Sequence, residues 1–540
     1  MMTDSEHSSE TYDVIVVGAG SAGCVVAGRL AAETEARVLV LEDGGRDSSP
    51  LIDIPAGFSQ LLAHKQFMYP YETVPQKHLD GRTISLIQGR GLGGGSSINA
   101  MVWMIGQARD YDSWQAAVGN TGNWRLSDLM PHFKAMEGNM VLSGPLHGTD
   151  GPVKVSPPQQ IVPINQAVIK AFQEFGVPYN PDYNGEEQRG VGPCQLSIGD
   201  ARRCSAADAY LHPAEGRANL TVRTGALVTR ILLDGDQATG VELVHRGKTY
   251  QAAATEIVVS AGALSSPRIL MLSGIGPEDE LAKHGIQLRI RAQHVGRHLQ
   301  DHPEVPVIAE SFEDLGYTKA GSTLGMIEAG LRYMLTRTGP AASNGIESVA
   351  HFNPEALDDL PTVQCFHAPV VVKKALAAPD PAPGITLENV VLQPKSRGSV
   401  TLKDADPRST ALIDPNYLAD PDDMRTMVLA LRFAREVLTA PSLWKVLKPE
   451  LMPGPDVRSD EDFAAYARQN MSCMLHPVGS CRMGSDDDAV VDADLRVRGV
   501  RGLRVVDASI MPNIVSANTM AATMVIASKG ADLVKDALRS

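Results

Sequence analysis

Apolar residues first gather into a pattern at Val14 to Val17, a continuous run that reads as a buried strand. The run leads straight into Gly18, Gly20 and Gly23, and Ala22 to Ala32 then carries small residues and helix formers. Arg37 to Leu41 reads as a second buried strand ending in Glu42, so the chain opens on a complete βαβ unit. Leu220 to Val222 and Ile257 to Val259 repeat the strand pattern, with a turn between them at Ala226 to Val228. Leu315 to Leu335 reads as helix, and Ile385 to Leu402 as paired strands in which Ser399 to Leu402 alternates polar and apolar. Asp420 to Leu438 is a helix with Pro421 in its first turn, where a missing N–H does no harm. Leu503 to Val506 is a further strand, and a last helix begins at Thr519 or Met520.

A chain of 540 residues is long enough for two intimately packed domains. Its apolar fraction of 43% is that of a protein folded in water. The net charge of −14, with no Lys/Arg-rich run, argues against nucleic acid as a partner. The N-terminal MMTDSEHSSE has neither the basic nor the apolar region of a secretion signal, and no window suits a membrane span, so a cytoplasmic protein is expected. A peripheral membrane contact is left open. Six cysteines from Cys24 to Cys481 are too sparse for a disulfide framework and are expected reduced and buried.

The glycines after the first strand have distinct uses: Gly18 permits a tight turn, Gly20 lets backbone approach a pyrophosphate, and Gly23 brings the helix close to the strand. Phosphate then sits on the helix N-terminus, near Ser21 and Ala22. Glu42 is placed to accept hydrogen bonds from adenosine ribose hydroxyls, and its charge disfavours a 2′-phosphate. A second cluster, QGRGLGGGSSINAMVWMIG at Gln88 to Gly106, combines dense glycine with small hydroxyls and suits close backbone approach to a ligand.

The string MSCMLHPVGSCRMG at Met471 to Gly484 poses a choice. Cys473 and Cys481 flank His476, but structural zinc wants four ligands, commonly in two close pairs, and no matching pair lies near; no metal is expected. Residue chemistry alone leaves His476 as either a hydrogen-bonded structural histidine or an acid–base group.

GRGLGGGSSIN (Gly89 to Asn99), GALSSPRILMLSGIG (Gly262 to Gly276), LQDH (Leu299 to His302), HPVGSCRMG (His476 to Gly484) and VVDASIMP (Val505 to Pro512) occur in that order. Together they resemble the signatures of the glucose/methanol/choline family of FAD-dependent oxidoreductases, over essentially the whole chain. The resemblance implies an α/β chain, α+β in its overall two-domain plan, with a Rossmann-like FAD-binding domain beneath a substrate domain whose antiparallel sheet and flanking helices roof the flavin. The FAD domain would comprise residues 1–155, 201–309 and 464–540, and the substrate domain residues 156–200 and 310–463.

By the same resemblance, FAD is held by the first glycine motif and Glu42, by Arg90, Gly93, Gly94, Ser97, Asn99, Ala100, Met101 and Val102, by Val228 and Ala261, and by Asp507, Ala508, Thr519 and Met520. Some members attach FAD covalently through a histidine where this chain has Ile98, so noncovalent FAD is implied. His476 aligns with the family's active-site base, and Asn518 with its partner in the branch that includes choline enzymes; a cap for the last helix is the structural alternative for Asn518. Asp507 has a turn-forming alternative. VPQKH, RTI and QGR, within Val74 to Arg90, are similar to bacterial sorbose and polyethylene glycol dehydrogenases, which implies oxidation of a primary alcohol to an aldehyde with a quinone or other carrier as acceptor. An oxygen-dependent oxidase and a flavin-containing lyase are the alternatives. No aromatic cage for a trimethylammonium group is visible, although Glu347 or the tyrosines remain candidates for a cation.

Overall fold

The computed structural model describes residues 10–61 and 64–539; most of the N-terminal stretch read above lies outside them. The Glu10–Val17 strand continues through Gly18 to Gly20 into the Ser21–Glu33 helix and returns as the Val38–Glu42 strand, fully buried along its length. Around this unit forms a seven-stranded sheet. Leu220–Thr224, Val38–Glu42, Glu10–Val17 and the C-terminal half of Lys248–Val259 run parallel, and Leu503–Val505 adds a further parallel strand beside Ile257 to Val259. The N-terminal half of Lys248–Val259 instead pairs antiparallel with Gln237–His245, itself paired with Ala226–Asp234. Ala226 to Val228 therefore opens a strand where a turn was expected. The turn is taken one residue earlier, by Gly225 at φ +65°.

The second sheet is antiparallel throughout, in the order Leu447–Met452, Pro303–Ser311, Gly384–Val391, Val363–Ala368, Ser348–Phe352, Gly190–Pro193, with Ser472–Cys473 also on Pro303–Ser311. The expected domain boundary between residues 309 and 310 falls inside one of its strands, and that between 463 and 464 falls inside the Asp460–Asn470 helix. The strands expected to pair within Ile385 to Leu402 separate: Gly384–Val391 joins this roof, whereas Gly398–Thr401 pairs with Arg297–Leu299 and Leu412–Asp414 in a small third sheet. The Pro421–Leu438 helix, capped by Asp420 accepting from the Asp422 amide, packs on the Gly384–Val391 and Pro303–Ser311 strands of this sheet. Within Leu315 to Leu335 the helix begins only at Thr323, where Ser322 Oγ accepts from the Gly325 amide. Each sheet has its own large buried core. At the C-terminal ends of the parallel strands, beside Val17, Leu41 and Ser260, lies a cavity of about 380 Å³, into which the Ser21–Glu33 and Thr519–Arg539 helices both begin.

Candidate active site

Two glycine loops make the cavity floor. Gly23 lies so close to the strand-end turn that a Cβ there would sit 1.9 Å from the Gly18 carbonyl. A Cβ on Gly94 would fall 2.7 Å from Gly20 Cα, so the second loop can nest on the first only with glycine there. The Gly93 amide locks the pair by donating to the Ala19 carbonyl at 2.8 Å. The Ser21–Glu33 helix has no side-chain cap, which leaves its first amides free at the cavity wall. Glu42 is buried, and its carboxylate accepts from the amides of Ala19 (2.9 Å), Gly44 (2.8 Å) and Gly91 (3.0 Å). Burial pushes its pKa up against those three donors. It thus clips both glycine loops together while its side chain still lines the cavity.

Of the positions expected around the cofactor, Gly18, Gly20, Ser21, Ala22, Glu42, Gly94, Asn99, Ala100, Met101, Val102, Val228, Ala261, Asp507, Ala508, Thr519 and Met520 line this cavity. Gly23, Arg90, Gly93 and Ser97 stand behind its wall and act on its shape. Arg90 pairs with Asp43 and lies 5.3 Å from the centre of the Tyr69 ring, and Ser97 Oγ donates to the Leu92 carbonyl at 2.8 Å. Asn99 Oδ1 accepts from the Met101 amide and from Arg203, setting the turn at Met101 (φ +61°). Asp507 accepts from the amides of Ser509 and Gly262 and from Ser266 Oγ, so it caps its own turn and also anchors the loop after Val259.

At the other end stand His476 and Asn518. His476 follows Leu475, which is held at φ +61°, and its backbone amide donates to Asp301 Oδ1 at 2.8 Å. The same oxygen accepts the His302 amide at 2.8 Å, while Tyr417 donates to Asp301 Oδ2. One buried carboxylate, its pKa raised by burial to about 6, thereby sets two histidines side by side. Their rings meet edge to face at 5.3 Å, with Nδ1 to Nδ1 at 3.1 Å.

The hydrogen-bond network assigns the protons. His302 Nε2 lies 3.0 Å from the Leu392 carbonyl, which can only accept, so Nε2 carries hydrogen. Burial holds the His302 pKa down at about 4, so the ring is neutral and its Nδ1 is a lone pair. His476 Nδ1 must then carry hydrogen and donate to it. Burial holds His476 well below the usual histidine range, so it too is neutral and its Nε2 is a free base. That nitrogen lies 3.3 Å from Asn518 Nδ2, whose amide is oriented by Gln364 donating to Asn518 Oδ1 at 3.3 Å. The Asn518 side chain is thus engaged by His476 and Gln364.

Sequence reasoning quoted Asp301 and His302 within LQDH without giving either a role, and missed Gln364 and the Leu392 carbonyl. Only the motif itself was a signal. Cys473 and Cys481 are buried free thiols, as are the other four cysteines. The metal-capable clusters among the described residues lie elsewhere, at His294, His298 and Asp488 and at Asp47, Asp208 and His212. Glu347 does not line the cavity: it is buried and engaged by Tyr317, Ser343 and the Val162 amide.

Family models for GMC oxidoreductases match residues 12–304 and 394–527. The chain belongs to the GMC oxidoreductase family. It is 40% identical over 531 residues to an alcohol dehydrogenase [acceptor] of Pseudomonas putida, spanning 97% of this chain and 95% of that one. It is 37% identical to the mitochondrial choline dehydrogenase of Homo sapiens, covering 98% and 90%. Among solved structures, pyridoxine 4-oxidase from Mesorbium loti superposes with a TM-score of 0.88 at 33% identity, covering 96% and 98%. The family's cofactor is FAD, and the residues present fit it: uncapped helix amides, a glycine floor and a buried carboxylate suit a dinucleotide.

Proposed function

We propose that this GMC oxidoreductase is an FAD-dependent alcohol dehydrogenase that oxidises a primary alcohol, such as a sugar, polyol or glycol, to the aldehyde and passes the electrons to a quinone or other carrier. The observation that carries the reading is the assigned lone pair on His476 Nε2, facing the same cavity that the glycine floor and Glu42 share. A substrate hydroxyl within reach of Nε2 gives up its proton there, while Asn518 Nδ2 donates to the substrate oxygen. The positive charge that develops on His476 is held by its Nδ1–H donating to His302, itself anchored on Leu392. The carbon loses hydride as the hydroxyl loses its proton, so two electrons and two hydrogens leave the alcohol. FAD, when bound, supplies the acceptor for that hydride. Gly18, Gly20, Ser21, Ala22, Glu42 and Asp507 hold the dinucleotide; Ile98, which has no nucleophilic nitrogen, leaves it noncovalent.

The test is anaerobic mixing of the holoenzyme with a panel of primary alcohols. Bleaching of the flavin spectrum supports oxidoreduction, and no bleaching with any alcohol favours a flavin-containing lyase. Reoxidation compared between a quinone analogue or dye and dissolved oxygen separates the dehydrogenase from the oxidase, the reading that the likeness to pyridoxine 4-oxidase favours.

A further inference from the structure

The Thr323–Thr336 helix turns its apolar face away from the protein. Ala329 and Tyr333 are its buried residues, Tyr333 donating its hydroxyl to the Ala201 carbonyl. Leu324 is 80% exposed, Ile327 56%, Leu331 52%, Met334 67% and Leu335 83%. At 3.6 residues per turn these five side chains share one arc of roughly 100°, directed away from the buried pair. Scattered surface leucines are ordinary, but a contiguous stripe marks a surface that something covers.

Charge and position say what covers it. From residue 315 to 339 the chain carries Lys319, Arg332 and Arg337 against one acid, Glu328, in a protein whose net charge is −14. These three cations are exposed, and none is in an ion pair among the described residues. Arg337 lies over the Tyr333 ring at 4.7 Å, and Arg332 Nε donates to Thr338 Oγ1. A twofold contact with a second copy would set this cationic rim against itself; anionic headgroups complement it. The helix also abuts a segment that reaches the cavity: Met326 Sδ accepts from Gln60 Nε2, and the Pro340–Ala342 turn packs on Pro55–Gly57, next to cavity-lining Phe58. Tyr317, just upstream of the helix, donates its amide to the Pro369 carbonyl, which precedes the exposed loop carrying Lys373, Lys374 and cavity-lining Leu376.

We propose that the Thr323–Thr336 helix lies on an anionic lipid bilayer, its five apolar side chains among the acyl chains and Lys319, Arg332 and Arg337 at headgroup level. The helix lies in the interface and does not span it: no helix of the described residues is long and apolar enough to cross a membrane. Docking by this face brings the Phe58 and Leu376 side of the cavity toward the lipid, where a lipid-soluble electron acceptor resides. That last consequence rests on the proposed dehydrogenase reading; the docking does not.

The holoenzyme is sedimented with vesicles of phosphatidylcholine containing about one-third phosphatidylglycerol at low salt, beside a Leu324→Ser/Leu331→Ser/Leu335→Ser variant and an Arg332→Ala/Arg337→Ala variant. The wild type is expected to sediment. The leucine variant should bind about a hundredfold more weakly and the arginine variant about tenfold more weakly, with alcohol-dependent dye reduction unchanged in both. Wild type left in the supernatant, or a leucine variant that sediments equally well, overturns the proposal. So does light scattering that shows a wild-type dimer becoming a monomer in the leucine variant, because a second copy would then cover the stripe. Vesicle binding as expected with no alcohol bleaching the flavin sinks the functional reading and leaves the docking standing.

Discussion

At the end of the cavity proposed to hold the nucleotide, Gly18, Gly20, Gly23 and Glu42 all come from one strand–helix–strand unit, Glu10 to Glu42. At the end proposed to be catalytic, His302, Gln364, Leu392, His476 and Asn518 come from five separate segments that are neighbours only in the folded chain. The first end is shaped by backbone approach and free amides, the second by which nitrogen holds a proton. Damage at the two ends should therefore be of different kinds: lost cofactor at one, lost proton handling with cofactor retained at the other.

The largest effect expected is at the catalytic end. His476→Ala should slow flavin reduction by alcohol by roughly 10²–10⁴-fold with flavin content unchanged, measured by anaerobic stopped flow; near-normal reduction would end the claim that His476 is the base. At the nucleotide end, Gly23→Ala places a methyl against the Gly18 carbonyl, an overpacking cost of about 1–3 kcal/mol or more. The purified protein should carry little flavin, read as the ratio of flavin to protein absorbance. If both variants lose flavin equally, the two ends are not separable.

His302→Ala should lower kcat/KM by about 10–100-fold with flavin bound, as removal of an orienting partner does. His302→Gln, whose carbonyl can accept from His476 Nδ1–H, should recover part of the loss; equal loss in both would point to packing. The pH profile sharpens the same point. The neutral form of His476 is active and burial depresses its pKa, so kcat/KM should rise with pH along a limb below the ordinary histidine value of about 6.5 and be flat through neutrality. Because His302 Nδ1 accepts from His476 Nδ1–H and so favours the charged ring, removing it should move the limb further down. The smallest effect concerns attachment: acid precipitation should release the flavin and leave a colourless pellet, because Ile98 offers no nitrogen for a bond.

The sequence by itself determined the strand–glycine–helix–strand unit at one end of the cavity, because a βαβ unit is local: hydrophobic period, glycine spacing and a terminal acid act within one turn or strand of one another. It marked His476 and Asn518 through resemblance but could not say which nitrogen of His476 is basic. It read Ala226 to Val228 as a turn, although pairing with Leu243 to His245 makes it a strand. It also took the whole of Leu315 to Leu335 for helix, before Ser322 supplied the cap. Only the tertiary structure placed Asp301 under two histidine amides and the Leu392 carbonyl behind His302. A tautomer is settled by what lies across a hydrogen bond, and here the partners are contributed by strands and loops that are neighbours in space alone.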